Sequence, residues 1–179
     1  MIIFSFNQLN AQSDFRNGCI ILNNNDTIYG LIDYKGNIAI AKQCVFKKDE
    51  NSTKQNFIPG EIRGFRFTNS KYYISKSIEV DHELKILFLE YLINGVVDVY
   101  YYRDDKGEHY FIEDENGNFH ELKNEDKEIV INQTRYLKES KEYINVLKYI
   151  FKESPMISKK VDYVGLNHKS LIKNYAGFS

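Results

Sequence analysis

The sequence predicts a mainly β chain of the α+β class: an antiparallel meander or sandwich-like sheet, followed by a C-terminal helical segment. Three observations predict it. Between Leu84 and Lys123, short runs of β-branched and aromatic residues are separated by Asn94-Gly95, by Asp104-Asp105-Lys106-Gly107 and by Asn116-Gly117. Asn-Gly between apolar runs is the strongest short-range hairpin signal, because both central residues of a type I′ turn need positive φ. Upstream, runs such as Cys19-Ile20-Ile21-Leu22 are broken by turn-forming residues at the spacing of all-β domains. Downstream of Gln133 the apolar period lengthens from two to between three and four.

Taken in order, Gly18–Leu22 reads as a strand, and Asn23-Asn24-Asn25-Asp26 turns it because Asn and Asp tolerate positive φ. Thr27–Tyr34 is the return strand, Lys35-Gly36-Asn37 turns again, and Ile38–Phe46 follows as a third strand. Lys47–Gln55 is polar and reads as a loop. Phe57–Ile62 contains Pro59-Gly60 and reads as a bend. Phe65 and Phe67 flank Arg66 as in a half-buried strand, and Lys71–Val80 forms another. With the meander, this makes about eight to ten strands on the spacing rule. From Gln133 to Lys152, Tyr136, Leu137, Tyr143, Ile144, Val146, Leu147, Ile150 and Phe151 form one helical stripe that Ser154-Pro155 ends. A second helix is predicted over 167–176, with Asn167 as N-cap, Leu171, Ile172 and Tyr175 inward, and Gly177 at its end.

Composition bounds the function. Lys+Arg total 24 against 25 Asp+Glu, so the chain lacks the basic footprint of a nucleic-acid binder. No run approaches the ~20 apolar residues of a membrane-spanning helix. No glycine-rich phosphate loop, GxSxG elbow, HExxH or CxxC occurs, so no cofactor is expected. The N-terminus is unusual: Ile2-Ile3-Phe4-Ser5-Phe6 is followed by Leu9-Asn10-Ala11-Gln12, like the end of a secretory signal that lacks its basic start. The expected division is a signal remnant over 1–12, a β-rich domain over 13–130, and a helical segment over 131–179 packed on that domain.

Several stretches follow one order: Gly18-Cys19-Ile20-Ile21, Asp26-Thr27-Ile28-Tyr29-Gly30-Leu31-Ile32-Asp33-Tyr34, Cys44-Val45-Phe46-Lys47, and Phe57-x-Pro59-x-x-Ile62-x-Gly64-Phe65. Phe88-Leu89-Glu90, the Tyr100-Tyr101-Tyr102 run and Ser170-Leu171-Ile172-Lys173 continue it. Together they resemble an uncharacterised family of Bacteroidota-type envelope proteins, from about Asp14 onward. The resemblance implies an exported β-rich domain, periplasmic or associated with the outer membrane, that in many members precedes an outer-membrane β-barrel. Its motifs are turns and aromatics, so it implies no active site.

Candidate functional residues are few. Tyr72, Tyr73, Tyr100, Tyr101 and Tyr102 place aromatics on both faces of their strands. One face must be core. The other is either covered by the helices or exposed as a platform for sugar rings or a protein partner. If Asn116-Gly117 is a two-residue turn, Glu113 faces His120, with His109 further along the same face. With Asp104 or Asp105 these are weak candidates for a metal site, against the plainer reading of cross-strand charge pairs. Cys19 and Cys44 either form a disulfide, if neighbouring strands bring them within reach, or are two separate thiols.

The expected function is a non-catalytic interaction or structural module of the cell envelope, meeting a protein or glycan through an aromatic face or sheet edge. Two alternatives stand beside it: a small hydrolase acting on envelope polymers, and a cytoplasmic β-rich scaffold. A pocket holding His109 or His120 beside a strongly perturbed carboxylate favours the hydrolase.

Overall fold

The structure, a computed structural model, describes residues 13–94, 97–124 and 126–175. The proposed signal remnant, Gly95 of the first turn, and the helix end at Ala176-Gly177 lie outside the described residues. The strands are β1 (Phe15–Ile21), β2 (Thr27–Asp33), β3 (Cys44–Lys47), β4 (Gln55–Phe57), β5 (Gly64–Phe67), β6 (Tyr72–Val80), β7 (Glu83–Ile93), β8 (Asp98–Arg103), β9 (Glu108–Glu113), β10 (Phe119–Leu122), β11 (Asp126–Ile131) and β12 (Thr134–Glu139). The helices are α1 (Asn37–Ile40), α2 (Glu142–Ile150), α3 (Pro155–Val161) and α4 (His168–Tyr175). Ten strands form one antiparallel sheet in the order β10-β9-β8-β7-β6-β5-β1-β2-β3-β4, and β11-β12 is a separate hairpin.

Register assigns the faces, because successive residues of a strand point to opposite sides. Tyr91, Tyr100, Phe111 and Glu121 lie in one row across β7 to β10, and Glu90, Tyr101, Tyr110 and Leu122 in the next. The second row packs under the helices. Val99, Tyr101, Tyr110, Ile112 and Leu122 share a core with Tyr143, Ile144, Leu147, Phe151, Ile157, Val161 and Leu171. The first row is covered by the chain itself. β6 and β7 are the longest strands, and Ile78, Val80 and Leu87 on their outer half close a core with Tyr100, Tyr102 and Phe111. The tip of that hairpin is clasped, with Lys106 in the β8–β9 turn paired to Asp81 in the β6–β7 turn. A third core joins Ile20, Ile32, Phe46, Phe65, Tyr73 and Phe88 in the N-terminal half.

Three sequence expectations are corrected. Ile38–Phe46 is not one strand: α1 occupies its start and β3 only its end. Gly36 takes φ 85°, Tyr34 Oη donates to Asn37 Oδ1 at 3.0 Å, and the Ala41 carbonyl accepts the Phe88 N–H at 2.9 Å. Tertiary contacts thus redirect a segment whose β-branched content favours a strand. The helix expected over Gln133–Lys152 starts only at Glu142, because Thr134–Glu139 pairs with Asp126–Ile131 around a two-residue turn at Asn132 and Gln133, both at positive φ. The division at 130/131 therefore falls inside a hairpin. Pro155 does not simply end a helix but opens α3, where its missing N–H leaves no helical bond unmade. The second expected helix is found as α4, with Asn167 Oδ1 accepting the Ser170 N–H at 2.9 Å as its N-cap. Among the described residues, no helix is long and apolar enough to cross a membrane.

Candidate interaction surface

The tyrosines do not form an exposed platform. Tyr73, Tyr100, Tyr101 and Tyr102 are buried, and Tyr72 is half-buried with its ring edge-on to Tyr91 at 5.7 Å. Alternation sends Tyr101 under the helices, where the His168 ring meets it at 4.2 Å, and Tyr100 and Tyr102 into the core beneath the β6–β7 hairpin. Both faces of β8 are covered because the molecule has a layer on each side there. The covered alternative is the one realised. Burial raises the Tyr100 phenol above its ordinary range, and its O–H donates to Glu113 Oε2 at 2.6 Å.

The histidines are divided between the faces. Asp114 accepts the N–H groups of Asn116 and Asn118, each at 2.9 Å, so the β9–β10 connection spans 114–118 rather than Asn116-Gly117 alone. That register sets Glu113 against Phe119 and His120 against Ile112. Glu113 and His120 are thus on opposite faces, and the expected cluster does not assemble. Glu113 holds Lys76 at 2.9 Å. Among the described residues, no group of three His, Cys, Asp or Glu has a metal-holding arrangement.

Two local networks result. His109 stands between Glu121 (Nδ1–Oε1 2.9 Å) and Asp104 (Nε2–Oδ1 3.2 Å), so the doubly protonated ring donates to both. The Glu121 bond is the main cause holding the His109 imidazole above its usual range. Burial is the largest single influence on Asp104 and Glu121 and disfavours ionising them, but the bonds from His109 together with the Lys106 and Gly107 N–H groups on Asp104, and with Lys123 on Glu121, outweigh it and both titrate low. On the helix face His120 meets Asp114 at 3.0 Å, and that bond drives Asp114 far below its usual range. Asp114 also lines a cavity of about 270 Å³ with Tyr149, Ile150 and Phe151. The carboxylate is perturbed, yet towards a weaker base, away from the near-neutral value that suits general acid–base catalysis.

His168, at the start of α4, was not singled out by sequence reasoning. Its Nδ1 lies 2.9 Å from Tyr110 Oη, and Glu108 accepts from Tyr101 Oη at 3.1 Å and Tyr110 Oη at 3.2 Å. Burial pushes the His168 imidazole below its ordinary value. Nothing marks this network in the sequence, since its members come from segments 58 residues apart.

The cysteines carry no disulfide. Cys19 pairs with Tyr29 on one face, whereas Cys44 lies in the core with Phe46 on the other. Burial pushes the Cys44 thiol up to about 12, which makes it an inert apolar side chain.

Four exposed apolar side chains cluster in a hairpin whose second strand, with Tyr136 and Leu137, the sequence pattern assigns to a helix. In the β11–β12 hairpin, Val130 is 65%, Ile131 52%, Tyr136 50% and Leu137 77% exposed. Register puts Ile129, Ile131 and Tyr136 on one face and Val130 and Leu137 on the other. Among the described residues, the two strands pair only with each other. Both outer edges thus carry backbone N–H and C=O groups without a third strand, which is a template for strand addition. The Glu128–Arg135 pair at 3.3 Å decorates one face, and Lys127–Glu142 at 2.6 Å ties the base of the hairpin to α2. The missed signal was Ile129-Val130-Ile131 followed by Asn132, a β-branched run meeting a residue that accepts positive φ. No protein-family model, curated protein or solved structure matches this chain.

Proposed function

We propose that this chain is a non-catalytic interaction module of the cell envelope, and that the β11–β12 hairpin is the part that meets a protein partner. The observation that carries the reading is four large apolar side chains exposed on a two-stranded sheet. Two strands alone are marginal in water, so a hairpin of this composition gains most when a partner supplies further strands or an apolar cover. The envelope setting rests on the apolar N-terminal run ending in Ala11-Gln12 and on the family resemblance.

A photo-crosslinking residue at position 137, in the full chain in its native cells, tests the reading. One discrete adduct with an envelope protein is expected, and it disappears when the crosslinker moves to position 160 at the end of α3. Equal adduct patterns from both positions, or a chain recovered in the cytosol with Met1 still present, overturn it.

A further inference from the structure

We infer that the outer face of β1–β2 carries a saccharide-binding cleft centred on Tyr29. Tyr29 is 76% exposed, although it sits on an interior strand of the ten-stranded sheet rather than on a loop. Its strand is held along one side by seven paired positions with β1, so the ring is presented from a rigid base. The cleft is a shallow depression open to solvent, with a volume of about 420 Å³.

The local sequence explains why the cleft is there. Gly18 and Gly30 face each other across β1 and β2. A Cβ on Gly30 would meet the Phe46 ring at 2.5 Å, and one on Gly18 the Ile32 side chain at 2.8 Å. The same Cβ atoms would run even closer to the Lys47 and Arg66 carbonyl oxygens, so the glycines are required by the flanking strands as well as by the core behind them. On the open side their backbone makes the floor, and Asn17, Tyr29 and Leu31 rise from it. Thr68 bounds one end, and Lys48, Asp49 and Glu50 in the β3–β4 loop bound the other.

The chemistry selects the ligand class. The Tyr29 ring face carries the negative side of its quadrupole and attracts the polarised C–H groups of a pyranose. Asn17, Thr68 and Lys48 supply donors, and Asp49 and Glu50 supply acceptors, which suits the hydroxyls around such a ring. Two carboxylates against one ammonium disfavour an anion. A polar rim disfavours a wholly apolar ligand. A neutral sugar, amphiphilic by face, satisfies both the ring and the rim. This site is separate from the β11–β12 hairpin and stands or falls without it.

The full chain is titrated with neutral trisaccharides built on glucose, mannose or N-acetylglucosamine, with inorganic phosphate as the anionic control, followed by calorimetry and saturation-transfer NMR. At least one trisaccharide is expected to bind, with saturation concentrated on ring C–H protons. Tyr29→Ala should weaken that binding roughly threefold to tenfold, while Tyr29→Phe keeps it, since the ring and not the hydroxyl makes the contact. Glu50→Gln should weaken it without changing the circular dichroism spectrum. Absence of binding for every trisaccharide, binding indifferent to Tyr29→Ala, or preferential uptake of phosphate overturns the proposal.

Discussion

The β6–β7 and β11–β12 hairpins are built on the same local plan and end in opposite circumstances. Each turns on two residues at positive φ, Asp81-His82 in the first and Asn132-Gln133 in the second. Each mixes β-branched or aromatic residues with charged ones in both of its strands. The first folds over β8 and β9 and buries Ile78, Val80, Leu87 and Leu89. The second leaves Val130, Ile131, Tyr136 and Leu137 in solvent. Turn chemistry and β-favouring residues therefore specify a hairpin, and only tertiary packing decides whether it is core or interface.

The sharpest way to break this comparison is to delete equal volumes from the two hairpins. Leu89→Ala, at a fully buried position, should lower global stability by about 2–5 kcal/mol in urea denaturation. Leu137→Ala should change it by no more than about 0.5 kcal/mol, as for an exposed site. A large loss from Leu137→Ala would mean that the second hairpin is packed in solution.

Titration sharpens it next. His109 lies under the first hairpin's clasp, and its folded-state pKa is raised, chiefly by Glu121. Its contribution is complete below the unfolded value of about 6.5 and disappears as pH rises through the raised folded value. His168 has the opposite sign: its folded value is depressed by burial, so stability falls as pH drops below about 6.5. Denaturation midpoints measured from pH 5 to 9 should lose their alkaline decline in His109→Gln and part of their acid decline in His168→Gln. Neither change should alter amide exchange in β11–β12.

The smallest effect is expected at the turns. Glycine relieves positive φ at the second central position of such a turn. Gln133→Gly should slow amide exchange within β11–β12 by a few tenths of a kcal/mol and leave global unfolding unchanged. His82→Gly, in the hairpin that belongs to the core, should register in global unfolding instead.

Legibility in the sequence followed the same divide. Asp104–Gly107 and Asn116-Gly117 were readable because turn residues act locally, and so were the strands they separate. Asp114 shows the limit: its side chain takes up the N–H groups of Asn116 and Asn118 on either side of Gly117, and that choice of register moved His120 to the far face. Tyr136 and Leu137 satisfied a helical period by coincidence with Tyr143 and Leu147, and only the pairing partner Glu128–Ile129 reveals them as strand residues. The burial of Tyr100 and Tyr102 depends on the reach of the β6–β7 hairpin, and that of Tyr101 on the helices, which no residue in β8 encodes.

The strand order has a kinetic meaning. Every neighbour in the ten-stranded sheet is consecutive in the chain except β5 and β1. The sheet is two zippers, β1 to β4 and β5 to β10, each able to close from local turns, joined along one seam where Gly18–Ile21 meets Gly64–Phe67. Closing that seam bears the loop entropy of the whole first zipper, so it is the step at which two independently nucleated halves become one cooperative unit.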